Sequence, residues 1–231
     1  MYVSLEKIIT FFERNQDIPA PMNTPTKHDI AKKKIVDSAR ILIAERGFSG
    51  VGLSQILEVA GIPKGSFYHY FASKEVFGEE LLRSYMHDYL INIQELFSCP
   101  DKNSAQKLFS YLDFWRLSHV KGQVGDKCLI VKLAAEVSDI SERMRRIMET
   151  GTAAVITHLS QVIKAGQQDK SIHSSLPAHK LASSLYQLWL GATLMTKITH
   201  SSHPLDEAWQ TSRILLGCST DEINPNARMG E

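Results

Sequence analysis

Cysteine is scarce in this chain: Cys99, Cys128 and Cys218 stand far apart and make an odd set. With no Cys-x-x-Cys pair, they build neither a disulfide framework nor a zinc site. Proline and glycine are sparse too, eight and thirteen in 231 residues, too few to chop the chain into short strands. Long apolar runs are missing. Residues 8–12, the longest run near the start, are too short for a secretory core and are flanked by acids, and no segment could span a bilayer. These gaps predict a cytoplasmic protein with reduced thiols and no membrane partner. Catalytic signatures are absent as well: no Gly-x-Ser-x-Gly elbow, no His-Glu-x-x-His pair, no Gly-x-x-x-x-Gly-Lys loop, and no metal-ligand spacing among nine histidines. No catalytic residue, metal ligand or cofactor is therefore expected, and a helical enzyme or adaptor is the remote alternative.

Net charge is only +1, so the chain as a whole does not read as a nucleic-acid binder. Its distribution is more informative. Residues 22–75 hold eight Lys/Arg against five Asp/Glu, whereas residues 76–231 hold sixteen against seventeen. The small basic excess sits where a DNA-binding element would need it, although a solvated helical surface would look the same.

What the chain does have is apolar spacing of three and four residues in segment after segment, the mark of an all-α fold. Residues 1–28, with Pro19, Pro21 and Pro25, read as a mobile extension, and Met22 is an alternative start. Helix is expected from Asp29, as N-cap, to Gly47, through the stripe Ile35, Ala39, Leu42 and Ile43. A short helix, 53–60, should end at Gly61 in the left-handed conformation. Pro63 suits the first turn of a third, 63–70, and Ser73 should cap a fourth reaching Phe97. Further helices are expected near 103–120, 126–138, 139–168, 176–200 and 204–216.

Residues 52–74 carry the functional signal. Two short helices joined at Gly61 form a helix-turn-helix layout. Phe67 and Phe71, four apart, should bind the second helix to the core with Ile62, leaving Lys64, Ser66, Tyr68 and His69 outward. A cation, a hydroxyl, a phenol and an imidazole on one helix suit phosphate and base-edge contacts in a major groove. The helix start at Ser73 and Lys74 offers free N–H groups and a cation for a phosphate. Taken alone, such a helix pair also occurs as mere packing in all-α proteins.

The stretch resembles the TetR-family DNA-binding domain. Ala60-Gly61-Ile62, Lys64-Gly65-Ser66, Phe67-Tyr68-His69-Tyr70-Phe71 and Ser73-Lys74 match that pattern in order, as does Glu45-Arg46-Gly47-Phe48 before it. The resemblance implies DNA contacts at Lys64, Gly65, Ser66, Tyr68, His69, Tyr70 and Lys74. It further implies a homodimer on a palindromic double-stranded operator and a small-molecule inducer. Two positions depart from the pattern: Gly52 replaces a Ser or Thr cap, and Leu57 replaces the small Ala that lets the helices cross closely. The domains implied are an N-terminal three-helix head, 29–73, a helical sensor and dimerisation domain, 74–220, and a tail, 221–231. The last two helices should pair with their symmetry mates as a four-helix bundle.

Residues 125–142, 188–192 and 197–198 resemble a narrower group, the TetR repressors of the N-ethylmaleimide reductase type, which sense electrophiles and oxidants. Gly50-Val51-Gly52-Leu53-Ser54 agrees with that group too. Cys128 should lie in the first turn of its helix, where the helix dipole, Lys127 and Lys132 favour a thiolate while Asp126 opposes it. On the residues alone it reads equally well as an inert small hydrophobe beside Leu129 and Leu133. The resemblance makes Cys128 the sensing residue and Lys197 its candidate partner; a lysine in an apolar helix otherwise snorkels to solvent. Cys99 and Cys218 read as bystanders. The alternative inducer is a reversibly bound lipophilic molecule lined by Tyr111, Trp115, Met144, Met148, Tyr186 and Trp189, residues that otherwise simply form core.

Overall fold

The computed structural model describes residues 26–120, 129–219 and 223, and these residues contain helices and no strand. Helix α1 spans Lys27–Arg46. Its cap is Thr26, not Asp29 as the sequence reading expects. The Thr26 hydroxyl accepts from the Asp29 N–H at 3.2 Å, and the Asp29 carboxylate accepts from the Thr26 N–H at 3.1 Å. Asp29 is thus the third helical residue of a capping box, which satisfies two otherwise orphaned donors. Gly47 ends the helix at φ +82°.

Helix α2, Leu53–Ala60, and its stop match the expected span. Gly52 caps it without a side chain, and the Gln55 carboxamide accepts from the Gly52 N–H at 3.0 Å. The expected third helix, 63–70, is in fact two pieces, a 3₁₀ turn Lys64–Ser66 and helix α3, Phe67–Tyr70. Pro63 has extended ψ of 137° and stands before the turn, not in it. The Ser66 N–H reaches back to the Pro63 carbonyl at 2.9 Å, a tighter three-residue closure than an α-helix makes.

Helices α4, Lys74–Phe97, and α5, Ser104–Val120, follow. Then come α6, Leu129–Ile140, α7, Glu142–Gln168, α8, Ala178–Thr199, and α9, His203–Leu216. The break between α6 and α7 falls at Ser141, two residues later than expected. The Ser141 hydroxyl caps α7 through the Met144 N–H at 3.4 Å and donates to Glu75 of α4 at 2.5 Å. A tertiary partner, invisible to local spacing, fixes that boundary.

Burial divides into two apolar clusters, and the division does not fall between residues 73 and 74. One cluster joins Ile35, Ile43, Ile56, Leu57, Phe67 and Phe71 of the first three helices to Phe77, Leu81 and Met86 of α4. It also takes in Leu129, Ile130, Leu133 and Val137 of α6, and Met144 and Met148 of α7. Helix α6 thus forms one wall of the cluster that holds the first three helices. The second cluster fills the space among α5, the rest of α7, α8 and α9, around Tyr111, Trp115, Leu159, Leu185 and Trp189.

Candidate nucleic-acid interface and its joint to the sensor helices

Gly61 makes the turn between α2 and α3 in the left-handed conformation, φ +65° and ψ +36°, which a Cβ would strain. The Ile62 N–H closes onto the Leu57 carbonyl at 2.9 Å and fixes the exit of the chain. Leu57 is fully buried in the head core, so the larger side chain is accommodated at the helix crossing. Phe67, Phe71 and Phe77 pack with ring centroids 5.1–5.9 Å apart and clamp α3 to α4. Such pairs each add about 0.5–1.5 kcal/mol beyond area burial.

This clamp turns the remaining side chains of α3 outward. Lys64, Gly65, Tyr68 and His69 are exposed, Tyr68 by 70%, while Ser66 and Tyr70 are half-buried. No heavy atom lies within 4 Å of the Cβ that Gly65 lacks, so the backbone there is open to close approach. Tyr70 lies against the ring of His28, centroids 5.1 Å apart, and His28 Nε2 is 3.2 Å from the His69 carbonyl, to which it donates in the Nε2–H tautomer. His28 belongs to α1, and nothing in the spacing of residues 52–74 pointed to it.

Lys74, expected as a phosphate contact, is half-buried at the start of α4. Ser73 caps α4 as expected, its hydroxyl accepting from the Val76 N–H at 3.1 Å. The Lys74 ammonium, however, lies over the Phe48 ring, 4.9 Å from its centroid. Burial lowers the ammonium pKa, and the nearby Glu136 carboxylate opposes that shift.

Glu136, on α6, is the residue the sequence reading missed. Its carboxylate accepts from the Phe48 N–H at 3.0 Å and the Ser49 N–H at 2.5 Å, in the loop that joins α1 to α2. Burial pushes its pKa up, but the hydrogen bonds from Ser49 and Phe48, with the Lys132 cation, outweigh that and hold it below the usual carboxylate range.

On the sensor side, Cys128 lies outside the described residues, as do Asp126 and Lys127. Lys197 is half-buried in the last turn of α8. Cys218 is buried, with its thiol 3.3 Å from the Ser171 carbonyl, and Cys99 is half-buried. Tyr111, Trp115, Tyr186 and Trp189 do come together. Trp115 lies 5.7–5.9 Å from the other three rings, its indole N–H donates to Thr193 at 2.9 Å, and that of Trp189 donates to Ser212 at 2.9 Å. Met144 and Met148 do not join them: both belong to the head-side cluster, Met144 being in contact range of Gly78. Among the described residues no helix is long and apolar enough to cross a membrane.

Residues 35–81 match the model for bacterial regulatory proteins of the tetR family, and residues 104–212 match that for a tetracyclin repressor-like C-terminal domain. The chain is 38% identical over 187 residues to the HTH-type transcriptional repressor NemR of Escherichia coli K12, a match covering 81% of this chain and 94% of NemR. It is 29% identical over 193 residues to the HTH-type transcriptional repressor DhaR of a Mycobacterium species, strain GP1, covering 84% and 96% of the two chains. The crystal structure of the reduced form of E. coli NemR superposes with a TM-score of 0.77 at 37% identity, over 83% of this chain and 99% of that one.

Proposed function

The chain belongs to the TetR family of bacterial regulatory proteins and is of the NemR type, and from that premise we propose that it is a dimeric repressor released from a palindromic operator when Cys128 reacts with an electrophile or oxidant. The outward face of α3 is the observation that carries the DNA half. Lys64 and the half-buried Ser66 on the 3₁₀ turn, with Tyr68 and His69 on α3, form one face of a segment whose other face is anchored by Phe67 and Phe71, an arrangement suited to entry into a major groove. The two copies of α3 in a dimer would read successive half-sites one helical turn apart.

Support for the sensing half comes from chemistry and relatedness. In the sequence Cys128 directly precedes Leu129, the first described residue of α6; a first-turn position would let the helix dipole and Lys132 favour its thiolate, and α6 is a wall of the head core. An adduct there would alter the packing of Leu129 and Leu133, and a close-packed cluster passes such strain on instead of absorbing it. The reversible-ligand reading rests on Tyr111, Trp115, Tyr186 and Trp189, whose indoles already hydrogen-bond within the protein. The test is binding to DNA from the region upstream of its own gene. A steep fall of affinity with rising salt, and release on adding an electrophile, is the expected result. Failure of the untreated protein to bind any such fragment overturns the repressor reading.

A further inference from the structure

Helix α6 touches the reading head in two ways. Its apolar side, Leu129, Ile130, Leu133 and Val137, is buried in the same cluster as Ile35, Ile43 and Phe67. Its polar side sends the Glu136 carboxylate to the backbone N–H groups of Phe48 and Ser49, 88 and 87 positions away in sequence. Gly47, Phe48 and Val51 of that loop are buried, while Ser49 and Gly50 face solvent. A Cβ on Gly47 would stand 3.0 Å from the Glu136 carboxylate, and Phe48 is buried against Gly78 of α4 with Lys74 over its ring. The loop leads through Val51 and Gly52 straight into α2, the first helix of the DNA-reading pair.

From this juxtaposition we propose that Glu136 is the positioning residue through which α6 sets the orientation of the α2–α3 pair. Hydrophobic attraction is itself non-directional. A carboxylate that accepts two adjacent backbone N–H groups is directional and charge-assisted, so it fixes both the height and the rotation of α6 against the head. Glu136 lies two turns along α6 from its first described residue, Leu129. A rotation or shift of α6 at that end therefore moves the carboxylate, and with it the loop that α2 hangs from. Lys74, at the start of α4, lies over the Phe48 ring of the same loop, 4.9 Å from its centroid, and so ties the opening of the long helix to that loop.

The proposal rests on the DNA-binding reading but not on Cys128, and its test has one readout that needs no DNA. Hydrogen exchange followed by mass spectrometry on full-length wild type, Glu136→Ala and Glu136→Gln reports the joint directly. Fluorescence titration of an operator duplex reports its consequence. In Glu136→Ala, peptides covering residues 47–53 should lose protection while those of α8 and α9 stay at wild-type levels. Operator affinity should fall at least about tenfold, the worth of one of the two charge-assisted hydrogen bonds removed. The salt dependence of binding should keep its slope, since no phosphate contact is removed. Glu136→Gln keeps a neutral acceptor oxygen and should recover part of both losses, which a residue needed only for bulk stability would not show. If Glu136→Ala melts as a whole, Glu136→Gln decides by the same two readouts. Wild-type protection at 47–53 together with operator affinity within twofold of wild type overturns the proposal. So does protection lost evenly across α8 and α9. Should even the wild type bind no operator, the repressor reading fails, and the exchange data alone judge the joint.

Discussion

Side chains on the recognition segment sort by direction. Phe67 and Phe71 are buried to within 1% of full exposure lost, whereas Tyr68 between them is 70% exposed. Removing the Lys64 cation should flatten the plot of log affinity against log salt by about one unit, because one counterion fewer is released. Tyr68→Ala should weaken operator binding while leaving the melting temperature near wild type, because the phenol contributes little to the core. Titrations at several salt concentrations, with a thermal melt beside them, check both; an unchanged slope for Lys64→Ala would remove that lysine from the interface. Directions on α3 were legible in the sequence because a short amphipathic helix has one way to bury two phenylalanines four apart. The half-burial of Tyr70 was not, because its partner His28 lies in α1 and the contact is made only after folding. Lys74 shows the same limit. A lysine at a helix start reads as a phosphate anchor, and only the folded chain brings Phe48 and Glu136 beside it.

Helix ends set by local chemistry were readable, and those set by distant partners were not. Gly61 as the stop of α2 and Ser73 as the cap of α4 needed only their own neighbours. The start of α1 also carried a local signal, Thr-x-x-Asp from Thr26 to Asp29, but the choice of Asp29 as cap overlooked it. Ser141 was different, since its hydroxyl is shared between the start of α7 and Glu75. Close helix crossings were equally hidden. A Cβ on Gly78 would stand 2.6 Å from the Met144 sulfur and 2.7 Å from the Phe48 ring, so α4, α7 and the α1–α2 loop meet where only glycine fits. Gly78→Ala should therefore destabilise the protein by about 1–3 kcal/mol through overpacking, despite alanine's better helix propensity. Thermal and urea melts measure this. A variant as stable as wild type would mean that Met144 and the Phe48 ring move aside freely.

At the scale of the whole molecule, α8 leaves an apolar strip uncovered. Leu194, Met195 and Ile198, with the open Gly191 before them, lie at three- and four-residue spacing on its exposed side, Leu194 being 49% exposed. We assign this strip to the dimer seam, where a second copy would bury it. Leu194→Asp should then dissociate the dimer without melting the chain, since Leu194 is not part of either single-chain cluster. Sedimentation should show wild type near twice the 26.0 kDa chain mass and the variant near that mass itself. A wild-type monomer at micromolar concentration would contradict the assignment. In the proposed mechanism, chemistry at the Cys128 thiol, passed through α6, would free the DNA and so couple all three scales. Its most direct test is an operator titration of wild type and Cys128→Ser before and after treatment with a maleimide, with the modified residues located by mass spectrometry. The account predicts that wild type carries the adduct on Cys128 ahead of Cys99 and Cys218 and lets go of the operator, while Cys128→Ser binds as well as before and stays bound. Equal release of Cys128→Ser by the same treatment would contradict it.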